Sequence, residues 1–515
     1  MTGPFDPSSY FSLNRRSLLA GAASAAMIPA VLRASARSVR AQSAEYDIIV
    51  VGAGNAGMPA AIFAAQNGAR VALVDAADKI GGTLHLAGGE ICGAQTKTQA
   101  RFGVTDDHPD IHYDDVMRLT NGKADPDIVR LTVDNAGAII DWLDDHGWDC
   151  RPGHFITGEF LGRAGYSVKR YYQADGGGLA MLKVFAEQVE KTATEYPLTI
   201  VLNNRVQELL TRDDGTVEGI RAIDNLGFIN ELRAKHVIVT TGGYVMDPPY
   251  FESLIGQPAY RNDSYFYSRG DGLKMAEAIG AALRGHDLHR PGSGSVLTAH
   301  EFPAELYVRV ETRPQARLPW EIWVNNRGER YVNEQHPNGS VREQALLKQP
   351  RLAYGIVFDE EIFTTADPCI AEWDRDKIAS HFNTHIGFYK GDTLEELASR
   401  CGFDVAGLQK TVADYNAGIG GTSDPFGREH RPLPIAEPPY YLILHHGHSA
   451  TSSVGITVNK DLQAVTPQGN PIPGLYAAGE VLGSGVSLGN AFAPGMMITP
   501  AMTLGRLLGE RLAVT

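Results

Sequence analysis

Within Tyr46 to Val51 (YDIIVV) the apolar positions run without a break from Ile48 and end at glycine. A continuous β-branched run with no polar alternation predicts a strand buried on both faces, as in a parallel sheet. Gly52-Ala53-Gly54-Asn55-Ala56-Gly57 follows, then the helix-forming stretch AAIFAAQNG, then a second strand from Arg70 to Val74 that ends at Asp75. Leu198 to Leu202 and Thr216 to Ile223 predict strands of a small sheet, and Ala234 to Thr240 a return strand. Near the end, Gly474 to Glu480 (GLYAAGE) reads as a strand closing in a small-residue turn with an acid. From Thr499 the spacing predicts a helix, with Thr499 as N-cap and Pro500 at the first helical position. Between these parts, from about Ile255 to Leu444, aromatic and polar residues follow no clean period, as an inserted lid would. Strands alternating with helices call for an α/β fold around a parallel sheet.

The glycine turn after the first strand carries the first chemistry. Glycines at 52, 54 and 57, with Ala56, permit a tight turn, bring backbone N–H groups near a pyrophosphate and let helix and strand pack closely. The helix N-terminus adds partial positive charge, and Asp75 stands where an acid accepts ribose hydroxyls. That fingerprint suits any dinucleotide. Gly81-Gly82-Thr83 and Gly88-Gly89 soon after Asp75 keep the backbone beside an extended ligand, and Glu480 could take the ribityl or phosphate-proximal hydroxyls of FAD. A C-terminal helix aimed at the isoalloxazine would stabilise charge on the reduced ring. The cofactor expected is therefore FAD, on a Rossmann-type domain.

Composition narrows the rest. At 515 residues the chain is long enough for two domains. A net charge of −14 argues against nucleic acid and anionic membranes as partners. Asn14-Arg15-Arg16-Ser17-Leu18-Leu19, an apolar run to Leu32 and Ala34-Ser35-Ala36 read as a twin-arginine export signal, so residues 1–45 are set apart and a periplasmic or secreted location is expected. The run falls short of the roughly 20 residues a membrane span needs, and no other segment qualifies. Four scattered cysteines (Cys92, Cys150, Cys369, Cys401) lack any C-x-x-C spacing, so no metal centre is expected and the thiols should be free and mostly buried.

With these motifs in order, the chain resembles the flavoprotein superfamily of soluble fumarate reductases, succinate dehydrogenase flavoprotein subunits and 3-ketosteroid Δ1-dehydrogenases. The resemblance also rests on Asp175-Gly176-Gly177-Gly178, Val239-Thr240-Thr241-Gly242-Gly243, Gly270-Asp271-Gly272 and Arg327 to Glu334. It implies a discontinuous FAD-binding domain, 46–254 and 445–515, with an inserted α+β capping domain, 255–444. It also carries Val206, Thr241, Gly242, Gly479, Gly495, Ile498 and Thr499 over as cofactor contacts. His85, only three residues before Gly88, departs from the attachment pattern of succinate dehydrogenases, so the FAD should be non-covalent and His85 a packing or hydrogen-bonding neighbour.

The common act of the superfamily moves a hydride between a substrate carbon and the flavin while a side chain moves a proton at the adjacent carbon. Fumarate reductases use an arginine for the proton; at its offset stands Asn338, with Arg342 the nearest arginine. Ala450 and Thr451 fall where a histidine pair would bind carboxylate, and Gly489 to Gly495 replaces the arginine-bearing C-terminal pattern. A desolvated dicarboxylate needs several cations, so fumarate and succinate are not expected. The stretch PGMMITPAMTLGR is closer to the ketosteroid dehydrogenases, but Phe492 stands where their ketone-polarising tyrosine lies. Tyr171, Tyr172, Arg342 and His448 are the acid/base candidates. The expected function is a CH–CH dehydrogenase acting on a neutral or weakly charged ketone-like or cyclic substrate, passing electrons to a quinone or cytochrome. The alternatives are a reductase of another α,β-unsaturated carboxylate, or a flavin electron carrier.

Overall fold

A computed structural model describes residues 45–159, 164–261, 264–421, 423–449 and 451–513; the proposed export signal lies outside them. Strand β1 (Glu45–Val51) enters the core and ends at the glycine turn, and α1 (Gly57–Gln66) leaves it. Eight of the ten residues of α1 are buried. A helix this short is stable only because it is packed on both sides. Strand β2 (Val71–Val74) lies parallel to β1, with Ile48 opposite Val71 and Val51 opposite Val74. Helix α2 (Gly178–Glu195) then leads to β3 (Leu198–Val201), parallel to β2.

Strands β4 (Asn204–Thr211), β5 (Val217–Asp224) and β6 (Ile229–Val239) form an antiparallel meander. The far end of β6 turns back into the parallel sheet beside β1, pairing Val51 with Val239. The strands expected from Leu198, Thr216 and Ala234 are all present, and β6 begins earlier than expected because its first half belongs to the meander.

A second sheet carries the inserted part. Strand β7 (Gly292–Leu297) leads on through helix α3 (Gly339–Leu347) to β8 (Ala353–Asp359). Strand β9 (Tyr440–His448) lies between β7 and β8. The chain then returns to the first sheet with β10 (Pro471–Ala477), parallel to β6, and ends in α4 (Ile498–Leu512). The mixed α/β fold expected from the sequence is the fold observed.

The main buried clusters divide the chain. One joins Ile48 to Ala281 with Val454 to Leu512; the other joins Val296 to Leu444. The stretch 255–281, read from the sequence as part of the insertion, gives Ala259, Leu273, Met275, Ala276 and Ala281 to the first cluster. Its helix, Asp271–Ala278, packs on the sheet, as shown by Gly272, where a Cβ would meet Val239 at 2.6 Å.

The C-terminal helix differs from expectation in its cap. It starts at Ile498 with Met497 as N-cap, and Pro500 is its third residue. The Thr499 hydroxyl is not free to cap, because it accepts the Cys92 N–H at 2.9 Å.

Candidate active site

The glycine turn sits at the carboxyl ends of β1, β2 and β6, the crevice where α/β sheets bind nucleotides. Gly52 has φ of +108°, and a Cβ there would meet the Thr240 carbonyl oxygen at 2.5 Å. At Gly57 a Cβ would stand 1.8 Å from the Gly52 oxygen, so no side chain fits. Gly54 is different: a Cβ would find its nearest protein atom at 3.9 Å, the Cα of Gly82. Its open face lies between the two glycine turns. The Gly81 N–H donates to the Ala53 carbonyl at 2.8 Å, which ties those turns together.

Asp75 accepts the N–H groups of Ala53 at 2.6 Å and Ala77 at 2.8 Å, and burial raises its pKa. It thus shapes the turn as well as facing it. Val206 lies buried on β4, two residues after Asn204, whose N–H donates to the Asp75 carbonyl at 2.9 Å. Thr83, exposed, opens the short helical turn Gly82–His85, and the other end of that turn bonds His85 Nε2 to the Ile80 oxygen at 3.0 Å. Gly88 accepts from Gln173 Nε2 at 2.6 Å, while Gly89 abuts the Gly177 backbone.

On the other wall, Glu480 accepts the Ser452 N–H at 2.9 Å, and Ser452 Oγ accepts the Tyr244 N–H at 2.8 Å. Burial raises the Glu480 pKa. Gly242 has φ of +75° and open space beside it, and Gly479 abuts Ala56. Asn55 donates to the Ile498 carbonyl at 2.9 Å, joining the first turn to α4. Asn55 Oδ1 and Thr241 Oγ1 are buried without a hydrogen-bond partner among the described residues. Such atoms call for a partner that a ligand supplies. An open glycine, orphan polar atoms and two helix N-termini fit FAD: Gly54 and α1 would hold its phosphates, Asp75 and Glu480 its hydroxyls.

At the far end, Gly495 packs on the backbone at Ile91 and Cys92. Tyr171 and Tyr172 form a two-residue strand between Ile91–Cys92 and Phe155–Ile156, and alternate side chains point opposite ways. Tyr172 turns into the main core, donates to the Gly93 carbonyl at 2.5 Å and meets Thr96 Oγ1 at 2.9 Å, away from the flavin segment. Tyr171 clusters with Cys92, Ala493 and Met496, beside the stretch leading to Gly495. Burial, with the nearby Glu90 charge, drives its phenol far above the ordinary value, so it keeps its proton and can donate a hydrogen bond but is a poor source of a proton and no base. The adjacent Arg170 does not lower it, because that guanidinium is buried in ion pairs with Asp107 and Asp115.

The seam between the two buried clusters holds the remaining candidates. Asn338 caps α3, its Oδ1 accepting the Ser340 N–H at 2.9 Å. Arg342, buried on α3, donates to the His336 carbonyl. His448 ends β9 opposite Gly292, where a Cβ would lie 2.5 Å from its ring. Thr451 Oγ1 meets Ser484 Oγ at 3.4 Å; Ala450 lies outside the described residues.

The chain matches the family described as FAD binding domain over residues 47–493. It belongs to that family. FAD is its cofactor, and it is an FAD-dependent oxidoreductase whose relatives act on CH–CH bonds. It is 29% identical over 475 residues to the probable fumarate reductase Ifc3 of Shewanella frigidimarina, covering 90% of this chain and 74% of that one. Its fold is similar to the open conformation of a flavocytochrome c3 fumarate reductase, with TM-score 0.63, 27% identity, 92% of this chain and 79% of the other. It is also similar to 3-ketosteroid-Δ4-(5α)-dehydrogenase from Rhodococcus jostii RHA1, with TM-score 0.61, 26% identity, 91% of this chain and 97% of the other.

Several site residues escaped the sequence. Ser452 is fixed between Glu480 and Tyr244, and only its place in the small polar run Ser452-Ser453 before Gly455 marked it. Arg290, in the run HRPGSG before β7, pairs with Glu343 of α3 at 2.8 Å. His289 meets Ser449 Oγ at 3.0 Å, and burial together with the Arg290 charge holds its pKa at about 3, so it stays neutral. A charge beside glycines and prolines was the available signal; its partner fifty-three residues away was not.

Proposed function

We propose that this flavoenzyme desaturates a neutral, ketone-bearing or cyclic substrate at the CH–CH bond beside the carbonyl. The observation that carries the reading is Asn338. The residue at the offset of the proton-donating arginine is spent as the N-cap of α3, and its neighbouring arginine is turned to a backbone carbonyl. Phe492 and the buried Ala493 line the C-terminal side with apolar surface. A wall of this kind favours a substrate with little charge. FAD, when bound, takes up or returns the hydride. This chain supplies a buried seam, Tyr171 as a phenol that keeps its proton beside the flavin segment, and His448 at the end of β9 as the base to take the proton from the carbon next to the carbonyl. The bond of His85 Nε2 to the Ile80 oxygen supports reading it as a neighbour of a non-covalent flavin.

A second reading, reduction of an α,β-unsaturated carboxylate other than fumarate, is favoured by Arg261. Burial and repulsion from Arg309 lower its pKa to about 10, as happens where cations are gathered to meet an anion. The test mixes photoreduced holoenzyme anaerobically with 2-cyclohexen-1-one, crotonate or fumarate. Reoxidation by the enone alone supports the first reading, and reoxidation by crotonate alone replaces it with the second. Among the described residues no helix is long and apolar enough to cross a membrane. The twin-arginine segment supports export of the folded holoprotein, with electrons passed to an external quinone or cytochrome.

A further inference from the structure

The seam contains one ion pair whose two halves are unequally exposed. Glu343 is fully buried, while the Arg290 side chain keeps 17% of its surface. Arg290 Nη1 donates to Glu343 Oε2 at 2.8 Å, and Ser293 Oγ donates to Oε1 at 3.2 Å, so both carboxylate oxygens are engaged. The guanidinium lies 5.5 Å from the centre of the Phe492 ring. Around it the backbone is pinned: Gln344 Nε2 donates to the carbonyls of His289 at 3.1 Å and Asn490 at 3.0 Å. Arg290 Nε remains buried with no hydrogen-bond acceptor among the described residues. A buried donor of a charged group left without an acceptor is costly, and beside an apolar cofactor-facing wall it is free to take an acceptor from a ligand.

We propose that Arg290 binds the substrate carbonyl oxygen through this N–H, with Glu343 as the positioning residue that orients the guanidinium and cancels its charge. Phe492 offers no donor, and Arg290 brings one to the same place. The cancelled charge sets the class of ligand. A lone guanidinium favours a carboxylate, whereas one already paired with a buried carboxylate offers a dipolar donor suited to a ketone. This inference rests on the reading of a neutral, carbonyl-bearing substrate given above.

The experiment titrates oxidised holoenzyme with 2-cyclohexen-1-one and with crotonate, following the perturbation of the flavin spectrum. Wild type, Arg290→Ala, Arg290→Lys and Glu343→Gln are compared, each checked for flavin content. The expected result is that Arg290→Ala weakens enone binding about tenfold or more, and Arg290→Lys recovers part of it. Glu343→Gln, which frees the cation, should shift selectivity towards crotonate by a similar factor. Enone binding unchanged in Arg290→Ala, or flavin lost from both Arg290 variants, overturns the assignment and leaves the ketone reading standing. Wild type that binds crotonate in preference to the enone overturns both.

Discussion

Two glycines of the first turn do different work, and the difference can be measured. At Gly57 an added Cβ would overlap the Gly52 oxygen, so the close approach of α1 to the turn needs hydrogen there. At Gly54 the same atom would meet no protein atom closer than 3.9 Å. Gly57→Ala should therefore destabilise even the apoprotein, by about 3 kcal/mol. Gly54→Ala should leave the apoprotein within about 1 kcal/mol of wild type while flavin affinity falls by tenfold or more. Thermal unfolding of the apo forms, with flavin content of the loaded ones, checks both; a Gly54→Ala protein with its full flavin would show that the open face is not the cofactor's. The glycines, Asp75 and Glu480 were legible because each backbone demand names its residue type. Tyr171 and Tyr172 were not separable, since only the register of a two-residue strand decides which one faces the flavin segment.

Strand β9 carries three histidines, and the seam around it shapes the molecule's response to acid. Burial holds His445 and His446, and likewise His289, at a pKa of about 3. An unfolded histidine titrates near 6.5. The folded value is depressed, so below 6.5 the unfolded chain binds more protons and stability is lost as pH falls towards 3. Each such histidine adds a slope of up to ~1.4 kcal/mol per pH unit across that window. His445→Asn should flatten the pH dependence of the unfolding free energy from urea titrations between pH 6 and 4 by up to about that amount, while an unchanged slope would mean that His445 protonates in the fold. Segments with a steady period, such as β1, α1 and β10, matched the structure closely. The cap of α4 did not, because the Thr499 hydroxyl is claimed by Cys92, a partner 407 positions away that no local pattern reveals.

Across the whole molecule, the first buried cluster is assembled from two stretches of chain, and the second lies between them. That discontinuity was implied by the family resemblance, with GLYAAGE supplying the distant second flavin segment. The point of departure was less visible, since the helix Asp271–Ala278 lies after Ile255 in sequence yet packs on the first sheet through Leu273, Met275 and Ala276. The seam between the clusters, with Arg290, Glu343 and Phe492, depends wholly on contacts distant in sequence. In the proposed reaction the flavin at this seam would take hydride from the saturated carbon β to a ketone, while the α-carbon gives up a proton. The most direct measurement is anaerobic mixing of the oxidised holoprotein with a panel of saturated cyclic ketones, following the visible flavin band. At least one ketone is expected to bleach the band in a single turnover and to be released as the enone. A flavin left oxidised by every ketone, yet rapidly reoxidised after photoreduction by an unsaturated carboxylate, would contradict it.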